Sequence, residues 1–108
     1  MAFKRAISPT FSREATVMVA NDRGAFDKNT LICKFKRATP DELKELRDTP
    51  HADVVRRQLT DWELVDKDTN EKVPFSAEEL EAILSISSAP QGIAAAFWEG
   101  SAGASAKN

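Results

Sequence analysis

Chemistry-bearing residues are scarce in this chain. It has one cysteine, one histidine and no tyrosine. A lone cysteine, Cys33, excludes an internal disulfide and suits a reducing compartment. One cysteine with one histidine cannot furnish a structural zinc site. Cys33 and His51 would act as a dyad only if a strand residue met a helix-start residue. Cys33 also falls on the apolar side of its run, where a thiol is ordinarily an inert small hydrophobe. Four glycines in all leave no phosphate-cradling or dinucleotide loop. The pattern therefore predicts no catalytic residue, no enzyme activity and no cofactor. No apolar run approaches the ~20 residues of a membrane span. Residues 1–11 carry Lys4 and Arg5 but no apolar run behind them, so they do not read as a secretory signal. No membrane is expected as a partner.

A surplus of basic charge is also missing. Fifteen Lys and Arg stand against 17 Asp and Glu, for a net charge of −2. A dedicated nucleic-acid binder normally carries the opposite balance. The local basic runs are Lys34-Phe35-Lys36-Arg37 and Arg56-Arg57. Lysines at alternate strand positions are the expected solvent face of a half-exposed sheet, and they blunt an edge. Phe35 alternates inward, away from those lysines, so it is not offered for stacking on bases. Carboxylates are plentiful at Asp41, Glu42 and Glu45 and at Glu78, Glu79 and Glu81. Both groups sit at helix starts, where negative charge complements the helix dipole, a simpler account than a general-acid pair. Asp66-x-Asp68-x-Asn70 begins like a calcium loop. It then has Glu71 where glycine is needed and Ala77 where the bidentate glutamate should stand, so no metal is expected.

What is present is periodicity. Residues 14–20 alternate, with Ala15, Val17 and Val19 on one side. Residues 30–36 do the same with Leu31, Cys33 and Phe35. Asn21-Asp22-Arg23-Gly24 is a turn signal between them, and the whole reads as an antiparallel hairpin over 14–37 with a rather long loop. Thr39-Pro40-Asp41-Glu42 is a capping box with proline at the first helical position. It opens a helix whose inner face is Leu43 and Leu46. After Pro50 a second helical run places Ala52, Val55 and Leu59 at helical spacing. A third strand is predicted near 61–66, with Trp62 and Leu64 inward. A polar turn follows, and Val73-Pro74-Phe75 is a candidate short edge strand. Ser76 and Glu79 form a second capping box, opening a helix with Leu80, Ile83 and Leu84 as its stripe. A last helix is predicted at about 90–99.

The expected fold class is thus α+β: an antiparallel sheet covered on one face by about four short helices, in a single domain over 1–99. Residues 100–108, rich in Gly, Ser and Ala, read as a flexible tail. The remaining role is binding. Phe97 and Trp98 are adjacent, ~100° apart on a helix, so one narrow stripe cannot hide both. The candidate protein-binding residues are Ile86, Phe97 and Trp98, with Leu84 and Ile93 assigned to the core. On this view Trp98→Ala lowers partner binding and leaves the fold intact.

From Trp62 onward the sequence resembles the tail assembly chaperones of long-tailed bacteriophages. The resemblance rests on the strand DWELVD, the turn DKDTNEK, the run VPFSAEELEAIL with its capping Ser76, the helix ending AAFWEG and the small-residue tail to AKN. The glycine usual in the turn after the tryptophan strand is replaced by Thr69-Asn70. The resemblance implies a protein of the infected host's cytoplasm that is absent from the finished virion. It implies that the chain binds the tape measure protein, a very long and largely helical chain, and keeps it soluble until the tail tube polymerises. It also implies a longer product made by −1 ribosomal frameshifting, whose extension recruits tail-tube protein. Ala106-Lys107-Asn108 can be encoded GCA AAA AAC, which contains the slippery string A AAA AAC. The alternatives are another phage assembly factor, such as a head–tail joining protein, and a small RNA-associated protein using Lys34–Arg37.

Overall fold

Two long strands carry the architecture. The computed structural model describes residues 6–103. Strands β1 (Thr10–Ala20) and β2 (Phe26–Lys36) pair antiparallel in continuous register, from Thr10 opposite Lys36 to Ala20 opposite Phe26. Asn21 makes the turn. Its side-chain oxygen accepts from the Arg23 and Ala25 amides at 2.9 and 3.1 Å, and Gly24 takes a left-handed φ of 81°. The loop is therefore only Asn21–Ala25, shorter than the alternation implies. The added ladder residues Phe26–Asn29 carry no apolar signal, because Asp27 and Asn29 occupy the positions in line with Leu31 and Cys33.

Helix α1 (Pro40–Leu46) starts at Thr39, whose hydroxyl accepts from the Glu42 amide while the Glu42 carboxylate accepts from the Thr39 amide. Helix α2 (His51–Gln58) runs directly into β3 (Leu59–Glu63), the third strand of a sheet ordered β1-β2-β3. Here the structure corrects two expectations. Leu59 begins the strand rather than continuing the helix, and the strand ends at Glu63 rather than at residue 66. A bulge is the reason. The register shifts between Lys34 and Phe35, so that Asp61 faces Lys34 while Leu59 faces Phe35. The extra residue, Thr60, turns out, and its hydroxyl donates to the Lys34 carbonyl at 3.0 Å. Leu59 and Trp62, three residues apart, are thereby both buried. Gln58, the one buried polar residue among those described, donates from Nε2 to the Lys36 carbonyl.

Beyond Glu63 the chain doubles back. Val65 bridges Lys72, and Val73 N–H donates to the Leu64 carbonyl. The turn is held by Asp66, whose carboxylate accepts from the Asp68 amide, and by Asn70 at a left-handed φ of 60°. The candidate strand at 73–75 is thus not an element: the bridge is at Lys72, just before it, and Val73 adds one backbone hydrogen bond. Helix α3 (Ala77–Leu84) is capped by Ser76, and α4 (Ala89–Ser101) follows almost at once. Helix α4 extends two residues past its expected end, so Gly100 and Ser101 are helical. Ala102 and Gly103 form a turn after it, and residues 104–108 of the predicted tail, with the slippery-codon residues, lie outside the described residues.

Helix α4 sets the core. Its buried Ile93, Ala94, Ala96 and Phe97 lie between β1 on one side and α2 on the other. Phe97 meets Phe11 and Phe35 with ring centroids 6.1 and 5.5 Å away, the second edge-on. The approach to β1 is close. A Cβ on Gly92 would run into the Thr16 carbonyl oxygen, and one on Gly100 into the Phe11 ring. Just before the helix, the Ser88 hydroxyl donates to the Met18 carbonyl at 2.6 Å. On β1 the odd-numbered carbonyls serve β2: Pro9 accepts from Arg37 N–H and Val17 from the Asn29 side chain. Thr16 and Met18 therefore aim their carbonyls at the outer edge, and α4 lies along that edge.

Candidate partner-binding groove

Strand β2 outlasts its partner β3. Their pairing covers only Ile32–Phe35, so the Phe26–Leu31 half of β2 has β1 on one side and nothing strand-like on the other among the described residues. The chain that leaves β3 folds into the small 64–73 hairpin instead of continuing the ladder. Trp62 pins that hairpin. Its indole N–H donates to the Val73 carbonyl at 2.8 Å, and its ring meets Phe75 edge-on at 4.9 Å. A groove opens between this hairpin and the projecting end of the β1–β2 pair. It measures about 700 Å³ on the side of α3 and about 920 Å³ on the side of Trp62.

The walls on the α3 side are apolar: Val17, Val19 and Leu31 from the strands, Leu64 and Val73 from the hairpin, Ile83 and Ile86 from α3 and the turn after it. Val19, Leu64, Val73, Ile83 and Ile86 are half-buried, packed on the core but open to solvent. The rim carries Asp27, Asp66, Asp68 and Glu79 against one lysine, Lys67. The Lys67 ammonium reaches across and donates to the Lys28 carbonyl at 2.8 Å. Helix α3 is held in place by Arg56 of α2, which forks onto Glu81 (2.7 and 2.8 Å) and also donates to Asp53 (2.8 Å). The paired guanidinium holds the Glu81 carboxyl below its ordinary value, and the Arg56 pKa is raised in turn. The amide of Thr39 likewise holds the Glu42 carboxyl low at the capping box.

The three residues picked from sequence do not come together. Ile86 lines the groove. Phe97 is 0% exposed in the centre of the core and offers no surface, which corrects its assignment as a contact residue. Trp98 is half-buried, packed edge-on against Phe97 at 5.3 Å. It lies in the last turns of α4, while Ile86 precedes its first, so ~14 Å of helix separates their ends. Leu84 and Ile93 are buried as expected. The groove residues Ile83, Val19, Leu64 and Val73 were missed as a set. Ile83 belongs to the same stripe as Leu80 and Leu84, but only those two are buried, and Ile83, at the edge of the stripe, stays half-open on the groove.

Elsewhere, Cys33 is fully buried and His51 exposed, so they form no dyad. Burial pushes the Cys33 thiol up to about 12. Among the described residues no three of His, Cys, Asp or Glu gather in a way that could hold a metal ion, and no helix is long and apolar enough to cross a membrane. The outer sheet face places Lys34 between Ser12 and Asp61, and Ile32 between Glu14 and Glu63, so its lysines are interleaved with carboxylates. No protein-family model matches the chain, and no curated protein or solved structure is detectably similar to it.

Proposed function

We propose that this chain is a phage tail assembly chaperone that binds the tape measure protein in the host bacterial cytoplasm and is left out of the finished virion. The observation that carries the reading is the groove. A holding protein needs apolar surface that is open yet too narrow to aggregate, with a charged margin that keeps it hydrated. Half-buried Ile83, Ile86, Val19, Leu64 and Val73 inside a rim of four carboxylates supply that. The segment that carries the sequence resemblance, from Trp62 through α3, builds one whole wall of it. The mode is capture of exposed apolar side chains without chemistry, so the chain acts as no enzyme and uses no cofactor. In the same proposal, a −1 frameshifted longer product would use this domain to hold the tape measure and its extension to recruit tail-tube protein.

Co-expression tests it. The tape measure protein of the same phage is expected to stay in the soluble fraction with this chain and to precipitate without it. Ile83→Glu combined with Ile86→Glu is expected to abolish that effect while the urea midpoint of the chaperone itself moves little. Tape measure protein that is equally soluble with or without the chain would rule the function out, and undiminished solubility with the double variant would rule out the groove as its seat.

A further inference from the structure

The groove has a backbone wall as well as a side-chain one. On β2 the direction of each peptide is fixed by its hydrogen-bond partners. Lys36 and Lys34 carbonyls accept from Gln58 and Thr60, and the Lys28 carbonyl accepts from Lys67, all on the β3 side. Arg37 N–H, of opposite parity, donates to Pro9 on the β1 side. Even-numbered residues of β2 thus turn their N–H and C=O away from β1. For Ile32 and Lys34 these groups meet β3; for Lys28 and Thr30 they point into the groove, where β3 has already ended.

We infer that the groove accepts its partner as an added β-strand, paired to the Lys28–Thr30 edge of β2. The occupant is an extended segment with apolar side chains at alternate positions and lysine or arginine at its ends. The alternation follows from geometry. A strand laid beside β2 sends every second side chain to the inner face, onto Val19, Leu31, Ile83 and Ile86, and the others to the solvent face. The basic ends follow from the rim, where Asp27, Asp66, Asp68 and Glu79 face Lys67 alone on the α3 side and Glu14, Asp61 and Glu63 outnumber Lys67 and Lys72 on the Trp62 side. Lys67 is the placeholder. Its ammonium takes the Lys28 carbonyl, the acceptor that an incoming amide would use, and swings out when one arrives. A helix in the same groove would satisfy its own amides and leave the Thr30 peptide unpaired. The inference rests on the groove being the partner site, and not on the partner being a tape measure protein.

The test uses the full chain, labelled with nitrogen-15, and the blocked peptide Lys-Val-Thr-Val-Thr-Val-Lys, with an amphipathic helical peptide of equal charge as control. The strand peptide is expected to slow hydrogen exchange at the Thr30 and Lys28 amides at least tenfold. Thr30→Pro, which deletes an N–H aimed into the groove and none aimed at β1, is expected to weaken peptide binding at least tenfold. Proline is tolerated at such an edge position, and if the variant fails to fold the wild-type exchange data decide alone. Binding of the helical peptide alone, shifts at Ile83 and Ile86 without slowed Thr30 exchange, or no binding of either peptide overturns the inference. The first two outcomes leave the holding function standing. Slowed Thr30 exchange together with no effect on tape measure solubility removes the chaperone reading and keeps the strand-pairing site.

Discussion

The α-carbon of Gly92 sits against the main-chain carbonyl of Thr16, leaving no room for a side chain between helix α4 and the edge of β1. Two effects compete if the glycine is replaced. Alanine at a helix interior position gains about 1 kcal/mol from propensity. The Cβ, however, meets a backbone oxygen in a paired strand, which cannot rotate away, and such overpacking costs about 1–3 kcal/mol or more. Gly92→Ala is therefore expected to be destabilising in urea titration, and Gly92→Leu more so. Gly100→Ala meets only the half-buried ring of Phe11, which can shift outward, so its loss should be smaller than that of Gly92→Ala. Equal losses at the two sites would mean that the rigidity of the Thr16 carbonyl, compared with the movable Phe11 ring, does not set the cost.

Phe97 and Trp98 are neighbours with different duties. Phe97 fills the space between Phe11 and Phe35, and its removal leaves a cavity. Phe97→Ala should lower stability by about 3–5 kcal/mol, a large part of the ~5–15 kcal/mol that holds a domain of this size. Trp98→Ala should lose less and, being outside the groove, should leave binding there within twofold of wild type. Chemical denaturation of both variants, with peptide binding for the second, checks this pair.

Glu81 carries the acid side of the stability profile. Its carboxyl is held below the ordinary 4.5 by Arg56. A depressed folded pKa contributes stability that is present above about 4.5 and is lost as pH falls through the lower folded value. The wild type should thus exceed Glu81→Gln in urea midpoint at pH 7, with the gap closing below pH 4.5. A gap that stays constant down to pH 3 would show the ion pair to be energetically silent, as exposed pairs often are.

Cys33 acts at the other end. Burial raises its thiol from 9.0 to about 12. A raised folded pKa contributes stability that is complete below pH 9 and is lost as pH rises toward 12, because the unfolded chain ionises first. The loss expected by pH 10 is on the order of 1 kcal/mol, and it should be absent in Cys33→Ala. A thiol reagent should label native protein only at the rate of unfolding.

How far the sequence speaks can be judged residue by residue. The alternation of Ala15, Val17, Leu31, Cys33 and Phe35 is visible because one face of the sheet is dry, and those residues are the core. Both threonine and serine caps are visible because capping is a local hydrogen bond. The α2–β3 junction was hidden. Val55 and Leu59 keep helical spacing, and only the bulge at Thr60, which answers to a carbonyl on another strand, reveals that Leu59 belongs to the sheet. The ends of the hairpin were hidden too, since Asp27 and Asn29 pair without burying anything. The groove is illegible for a related reason. It is made by where β3 stops relative to β2, a difference in strand length that no single segment encodes, and of its residues only Ile86 was picked from the sequence.

The burial of one sheet edge under α4 has a consequence for growth. A protein whose sheet is open at both sides can add copies without end, each new strand templating the next. Here Ser88 and Gly92 close the β1 side, and on the other side β2 is left uncovered along Lys28–Thr30, beyond the end of β3. Whatever pairs there adds a single strand to a sheet that cannot extend at β1, so the protein terminates a strand array rather than seeding one.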